Sequence, residues 1–305
     1  MPSTILEVKN LTTSFRINDE YYAAVDNVSL SLKKNEVLAI VGESGSGKSA
    51  LAFSVMGLHR QAKIEGEILF NNKNLVNLSL NELNKLRGKE MGMIFQDPLT
   101  ALNPLMTIGK QIGEVLYLHN PSMSKADRMK RVVELLENVG IPNPERTIHQ
   151  YPHELSGGMR QRVVIAIAIA NNPKLLIADE PTTALDATIQ AQILQLIIDL
   201  KHNMESGIIL ITHDLGVVAE IADRVAVMYA GEIVEIADVS TLFDNPLHPY
   251  TRSLLQSIPS NVKPKEKLHV IQGMVPSLQN LPREGCRFKD RIPWIPEEEH
   301  EEHPQ

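Results

Sequence analysis

The chain has 305 residues, 43% of them hydrophobic and 22% charged, with a formal net charge of −7. That is enough for one large domain or two modest ones with an ample core, and the acidic balance speaks against a broad nucleic-acid surface, so no nucleic-acid partner is expected. The 1 cysteine excludes an intrachain disulfide and an all-cysteine metal site.

"ILEVKNLTTSF" and "AAVDNVSLSL" read as strands with partial alternation. "EVLAIV" is continuously apolar, as a strand buried on both faces is, and "SALAFSVMGL" follows as a helix. "GEILF" and "MGMIF" are further strands. From Asp97 to about Asn171 the pattern turns helical, with Ser124 as N-cap of "KADRMKRVVELLENVG" and Gly140 at its end. "VVIAIAIA" alternates like a strand. It is assigned to a helix because Gly157-Gly158 is a start signal and "ANNP" a stop. "KLLIADE", "IQAQILQLIIDLKHNM" and "GIILIT" restore the strand–helix–strand rhythm, and "RVAVMYAGEIVEIAD" reads as a hairpin. The run Val163 to Ala170 is too short to span a bilayer, and "MPSTILEVKN" lacks a signal-peptide pattern. Nine of the 18 prolines lie from Pro246 onward. There "HPYTRSLLQSIP" is a short helix, and the closing "EEEHEEH" is expected to be a solvated, poorly ordered end.

"GESGSGKS", Gly42 to Ser49, matches G-x-x-x-x-G-K-[ST] between an apolar strand and a helix. Such a loop wraps phosphates in backbone N–H groups, Lys48 reaches the β- and γ-phosphates, and the Ser49 hydroxyl holds Mg²⁺. The nucleotide-binding set is therefore Gly42, Ser44, Gly45, Ser46, Gly47, Lys48, Ser49 and Ala50. "LLIADE" is an apolar strand ending in two acids, at the sheet edge where ligands bind in parallel α/β folds. Asp179 suits Mg²⁺, and Glu180 suits the base that polarises an attacking water. Pro181 follows at once, which makes a helix-capping role for both acids a poor fit. Gln96, in "MIFQDP", can reach Mg²⁺ and a γ-phosphate, and His213, in "ITHDL", can hold the γ-phosphate or the water. Each of these two alone is an ordinary polar strand end. "LSGGMRQ" places Ser156, Gly157 and Gly158 at a helix N-terminus, which attracts anions.

In this order, "GESGSGKS", Gln96, "LSGGMRQ", "LLIADE", "ALD" and His213 resemble the P-loop, Q-loop, signature, Walker B, D-loop and switch histidine of ABC transporter ATPase subunits. The resemblance implies an α/β P-loop NTPase of ABC type. It would have an antiparallel β subdomain, a helical subdomain at about 97–172 and a C-terminal extension, with the ATPase domain at 4–245 and the extension at 246–305. It implies that two subunits meet head to tail, each signature completing the other's ATP site. Adenine stacking is then expected on Phe15 by position, with Tyr22 the rival.

"VGESGSGKS", "IFQDPLTALNP", "ELSGGMRQR", "NPLHPYTRSLLQSIP" and "GMVPSLQNLPREGCRF" resemble the oligopeptide/dipeptide (and nickel) importer branch, and the Met159-containing signature is similar to one of the two ATPase types that branch pairs. A peptide importer is thereby implied, with nickel or another small solute as alternative cargo. Its partners would be a second, non-identical ATPase, two transmembrane permeases and an extracytoplasmic solute-binding protein. The chain would sit peripherally on the cytoplasmic face of the membrane. Some relatives carry several cysteines after the "GCRF" segment. Here Cys286 stands alone and Ile292 occupies the expected second position, so no iron–sulfur cluster is expected. A soluble ribosome- or DNA-directed ABC ATPase is the weaker reading, because there is one cassette and no long heptad between Lys48 and Glu180.

Overall fold

The computed structural model describes residues 3–183, 185–257, 271–282 and 284–292. The acidic tail and Ala184 of "ALD" lie outside these. The chain forms two compact units, one mainly from Asn77–Leu210, the other from Leu6–Ser31, Val37–Val76 and the described residues from Ile211 on.

The second unit opens with β1 (Thr4–Ile17) and β2 (Glu20–Lys33). Asn18 and Asp19 between them have φ of 50° and 68°, the left-handed pair that a two-residue hairpin turn requires. Next come β3 (Val37–Val41), α1 (Lys48–Val55), β4 (Lys63–Phe70) and the short β5 (Lys73–Asn74). The sheet order β2-β1-β4-β5, with β1 antiparallel to β4, gives the antiparallel layer expected. Leu6, Val8, Leu11 and Thr13 of β1 are buried while Lys9 and Asn10 are not, the alternation of a half-buried sheet. Every residue of β3 is buried, as its unbroken apolar run requires.

The first unit carries α2 (Leu80–Leu86), β6 (Met91–Ile94), α3 (Pro98–Ala101), α4 (Ile108–His119), α5 (Lys125–Asn138), α6 (Pro144–Thr147) and α7 (Gly157–Ile169). β7 (Leu175–Asp179), α8 (Ala187–Met204) and β8 (Gly207–Ile211) follow. Ser124 caps α5 by accepting the Asp127 N–H at 3.1 Å, and Gly140 leaves the helix at φ 72°, both as the sequence predicts. Helix α7 is apolar almost all round, with Val163, Val164, Ile165, Ala166, Ala168 and Ile169 buried. It packs against α3, α4, α5 and β6. The approach to β6 is close: a Cβ at Gly92 would lie 2.4 Å from the Ala168 carbonyl. Strands β8, β7 and β6 are neighbours in that order, and β6 runs parallel to β7 with Ile94 opposite Ala178.

The second unit resumes with α9 (Leu215–Ile221), β9 (Arg224–Tyr229), β10 (Glu232–Asp238), α10 (Val239–Asp244) and α11 (Pro249–Gln256). β9 and β10 form the predicted hairpin around Ala230-Gly231, and β9 runs parallel to β3, Val41 opposite Val227. That pairing brings the end of β9 beside the loop that leaves β3. Among the described residues no helix is long and apolar enough to cross a membrane.

Candidate nucleotide site

The loop leaving β3 is a cradle that only its glycines permit. A Cβ on Gly42 (φ 152°) would sit 2.1 Å from the Met228 carbonyl, and one on Gly47 (φ 102°) 2.4 Å from the Ala24 carbonyl. Gly47 is also the N-cap of α1, in a left-handed conformation and with no side-chain cap, so the first N–H groups of that helix have no capping side chain. Ser44 and Gly45 are exposed, Ser46 is fully buried, and Ser49 and Ala50 are half-buried. Lys48 is buried at 6% exposure. Its Nζ donates to the Gly42 carbonyl at 2.8 Å, the Glu43 carbonyl at 2.9 Å and Ser46 Oγ at 3.4 Å. The ammonium thus bridges the loop it springs from.

In the first unit the parallel pairing of β6 and β7 carries Gln96 and Glu180 past the strand ends side by side. Gln96 lies two residues beyond β6 rather than at its last residue. Its Nε2 donates to Glu180 Oε2 at 3.1 Å. Thr183, which the sequence reading did not single out, donates its hydroxyl to the same oxygen at 2.8 Å. Asp179 is 3% exposed at the end of β7. Glu180 turns off the strand at φ 45°, a left-handed conformation rare for a side chain of this size.

Ser156 caps α7, its Oγ accepting the Met159 N–H at 3.3 Å. Gly157 and Gly158 form the first turn. They line a cleft of about 490 Å³ together with Arg162, Leu185, Asp186 and Gln192. Arg162 donates to Gln192 at 2.7 Å. A Cβ on Gly158 would lie 2.8 Å from Ile189 Cγ2, so the small residue keeps α8 close.

Phe15 and Tyr22 are both half-buried. Phe15 meets His59 edge-on with ring centroids 4.9 Å apart, and His59 Nε2 lies 3.0 Å from the Ala50 carbonyl of α1. Tyr22 donates to Glu20 at 2.6 Å. His213 is exposed just beyond β8, ahead of Asp214, which caps α9 by accepting the Gly216 and Val217 N–H groups. Ser49 in one unit, and Gln96 and Asp179 in the other, carry hydroxyl, amide and carboxylate oxygens, each the hard donor chemistry that Mg²⁺ takes. Among the described residues no group of three or more His, Cys, Asp and Glu could hold a metal ion.

The sequence reading also missed a contact to the phosphate loop from far down the chain. Glu43 accepts two hydrogen bonds from Arg291, at 2.9 Å from Nη1 and 3.0 Å from Nη2. Its own N–H donates to Tyr250 Oη at 2.7 Å. Burial opposes the charge on Arg291, and the hydrogen bonds to Glu43 and Tyr229 outweigh it, so the guanidinium pKa lies above its ordinary value. Burial pushes the Tyr250 phenol far above its ordinary value, which keeps it protonated. No spacing rule links residues so far apart.

Residues 25–183 match the ABC transporter family, and residues 234–294 match the oligopeptide/dipeptide transporter C-terminal region. The chain is 56% identical over 296 residues to the oligopeptide transport ATP-binding protein OppD of Lactococcus lactis subsp. cremoris, covering 96% of this chain and 87% of that protein. It is 54% identical over 294 residues to the oligopeptide transport ATP-binding protein AppD of Bacillus subtilis, covering 95% and 89%. Among solved structures, the dimeric ATP-binding cassette MJ0796 bound to ADP and Pi is similar at a TM-score of 0.70 and 33% identity, covering 77% of this chain and 99% of that one. The P-loop NTPase fold of ABC type is therefore the fold of this protein, and ATP is its nucleotide. The chain belongs to the ABC transporter family, as an ATP-hydrolysing cassette joined to an oligopeptide/dipeptide transporter C-terminal region.

Proposed function

We propose that the protein is the ATPase subunit that powers peptide import through a membrane permease. One observation carries the cargo class: the cassette continues into the C-terminal region of oligopeptide/dipeptide transporters, and relatives above 50% identity are named for oligopeptide transport.

In this reading the loop from Gly42 to Ala50, with Ser44, Gly45, Ser46 and Gly47 between, wraps the phosphates of ATP. Lys48 exchanges its loop carbonyls for the β- and γ-phosphates. Glu180, held by Gln96 and Thr183, accepts a proton from the attacking water, and His213 steadies that water and the γ-phosphate. Bound Mg²⁺ would neutralise charge on the phosphates, held by Ser49, Gln96 and Asp179. The α7 start at Ser156, Gly157 and Gly158 offers free N–H groups to the γ-phosphate of a second subunit's ATP. Phe15 or Tyr22 stacks on adenine. The contact of Phe15 with His59, itself beside the Ala50 carbonyl of α1, favours Phe15.

One phosphate loop and one signature per chain require a partner ATPase, which this reading takes to be non-identical. The complex holds two permeases and works with an extracytoplasmic binding protein, and the chain sits peripherally on the cytoplasmic face. With its lone thiol, Cys286, it is read as lacking an iron–sulfur cluster.

Gentle solubilisation of membranes from the native host, with this chain tagged, tests the reading. Two multi-span permeases and a related ATPase are expected to co-purify. Recovery from the soluble fraction with ribosomal or DNA partners would overturn the transport assignment and leave the ATPase chemistry standing.

A further inference from the structure

Glu43 stands inside the phosphate loop, and each of its polar groups is held. Tyr250 accepts its N–H at 2.7 Å, Lys48 donates to its carbonyl at 2.9 Å, and Arg291 grips its carboxylate with two hydrogen bonds of 2.9 and 3.0 Å. The ion pair is shielded, the Arg291 side chain being 9% exposed and that of Glu43 26%. Arg291 is itself fixed. Its Nη1 donates to Tyr229 Oη at 3.1 Å, and its guanidinium carbon lies 5.6 Å from the Tyr229 ring centroid and 5.7 Å from that of Phe288. Tyr229, Tyr250 and Phe288 pack together with centroids 4.7 to 5.3 Å apart.

A staple that only fastened the C-terminal segment to the protein would serve at any rigid surface point. This one is attached to the residue whose carbonyl the phosphate-binding lysine uses. The neighbouring residue, Gly42, lies hard against the β9 backbone, where a side chain would meet the Met228 carbonyl at 2.1 Å. A change in the Glu43 backbone is therefore passed to Lys48 and to the N–H groups that meet phosphate. Paired, bidentate contacts of this kind fix orientation as well as distance.

We propose that Arg291, assisted by Tyr250, is a positioning residue through which the C-terminal region braces the phosphate loop in its nucleotide-binding shape. Nucleotide affinity then depends on a segment far outside the ATPase motifs. The inference rests on the reading of Gly42–Ser49 as the ATP phosphate loop.

The test measures MgATP affinity of the full-length chain and, in the assembled transporter, the split between KM and kcat. Arg291→Ala is expected to weaken MgATP binding roughly five- to tenfold, with the loss in KM and kcat changed less than about twofold. Arg291→Lys, which keeps charge but not the fork, should fall between it and wild type. Glu43→Gln breaks the same pair from the loop side without touching the C-terminal region, so it serves if Arg291→Ala fails to fold. The double variant should be no weaker than the worse single one, because both remove one interaction. Wild-type affinity in both single variants, or losses that multiply in the double, would overturn the brace. A wild-type chain that bound no MgATP would instead overturn the ATPase reading itself.

Discussion

Gln96 Nε2 lies 3.1 Å from Glu180 Oε2, so a side chain just past one strand holds the carboxylate that follows its parallel neighbour. The contact follows from register: Ile94 is opposite Ala178, and two further residues on each chain place the amide beside the acid. Thr183 holds the same oxygen. In the proposed mechanism this carboxylate, which accepts from two neutral donors, takes a proton from water. Glu180→Gln preserves shape and removes that basicity. Turnover should fall by at least about a hundredfold while MgATP affinity stays within about threefold. Single-turnover hydrolysis beside equilibrium binding checks both, and normal turnover would remove Glu180 from the mechanism.

The loop glycines separate into those that need space and those that need only freedom. Gly47→Ala must place a methyl 2.4 Å from a backbone carbonyl at φ 102°, whereas Gly45→Ala at φ 81° meets nothing within 4 Å. The first should cost about 2–4 kcal/mol and the second about 1 kcal/mol. Denaturant midpoints of the two variants measure the difference. Equal costs would show that the close approach of Ala24 to the loop is not rigid.

Much of this was legible beforehand because its causes are local. The unbroken "EVLAIV" run gave a strand buried on both faces, and the Gly-Gly start outweighed the misleading alternation of "VVIAIAIA", which lies in a helix buried on most sides. The adjacency of Gln96 and Glu180 was not legible, since it depends on which strands become neighbours. The grip of Arg291 on Glu43 joins positions 248 residues apart, through burial that no periodicity records. The sequence also put Gln96 at the last position of its strand, but β6 stops at Ile94.

His248 supplies a pH dependence. Its Nδ1 accepts the Tyr250 N–H at 3.1 Å and caps α11, which requires the neutral ring. Burial lowers its pKa from 6.5, against a smaller raising effect of Glu235. In the pH range between the lowered folded value and 6.5 the unfolded chain binds more protons. The stability due to this group is therefore present above 6.5 and lost as pH falls through that window, at up to about 1.4 kcal/mol per pH unit. His248→Asn keeps a capping oxygen without a titrating ring and should flatten this part of a stability–pH curve. An unchanged slope below pH 6.5 would assign the dependence to other groups.

Substitution can separate the capping role of Ser156 from the proposed one at a partner's ATP. As the cap of α7, its Oγ accepts the Met159 N–H at 3.3 Å, so Ser156→Ala should cost about 1 kcal/mol of stability. Asp and Asn cap helices as well as Ser does, so Ser156→Asp and Ser156→Asn should both fold within about 0.5 kcal/mol of wild type. They differ in charge at a helix start whose free N–H groups face an open cleft. If that end receives the γ-phosphate of a partner's ATP, the new carboxylate occupies the anion's place and repels it. Ser156→Asp should then lower turnover of the assembled transporter at least about a hundredfold, with MgATP binding to the isolated chain unchanged, because the isolated chain binds through its own phosphate loop. Ser156→Asn should lose far less. Equal turnover in the two variants would reduce Ser156 to a cap, and equal loss of MgATP binding in the isolated chain would place the two phosphate sites in one subunit rather than across two.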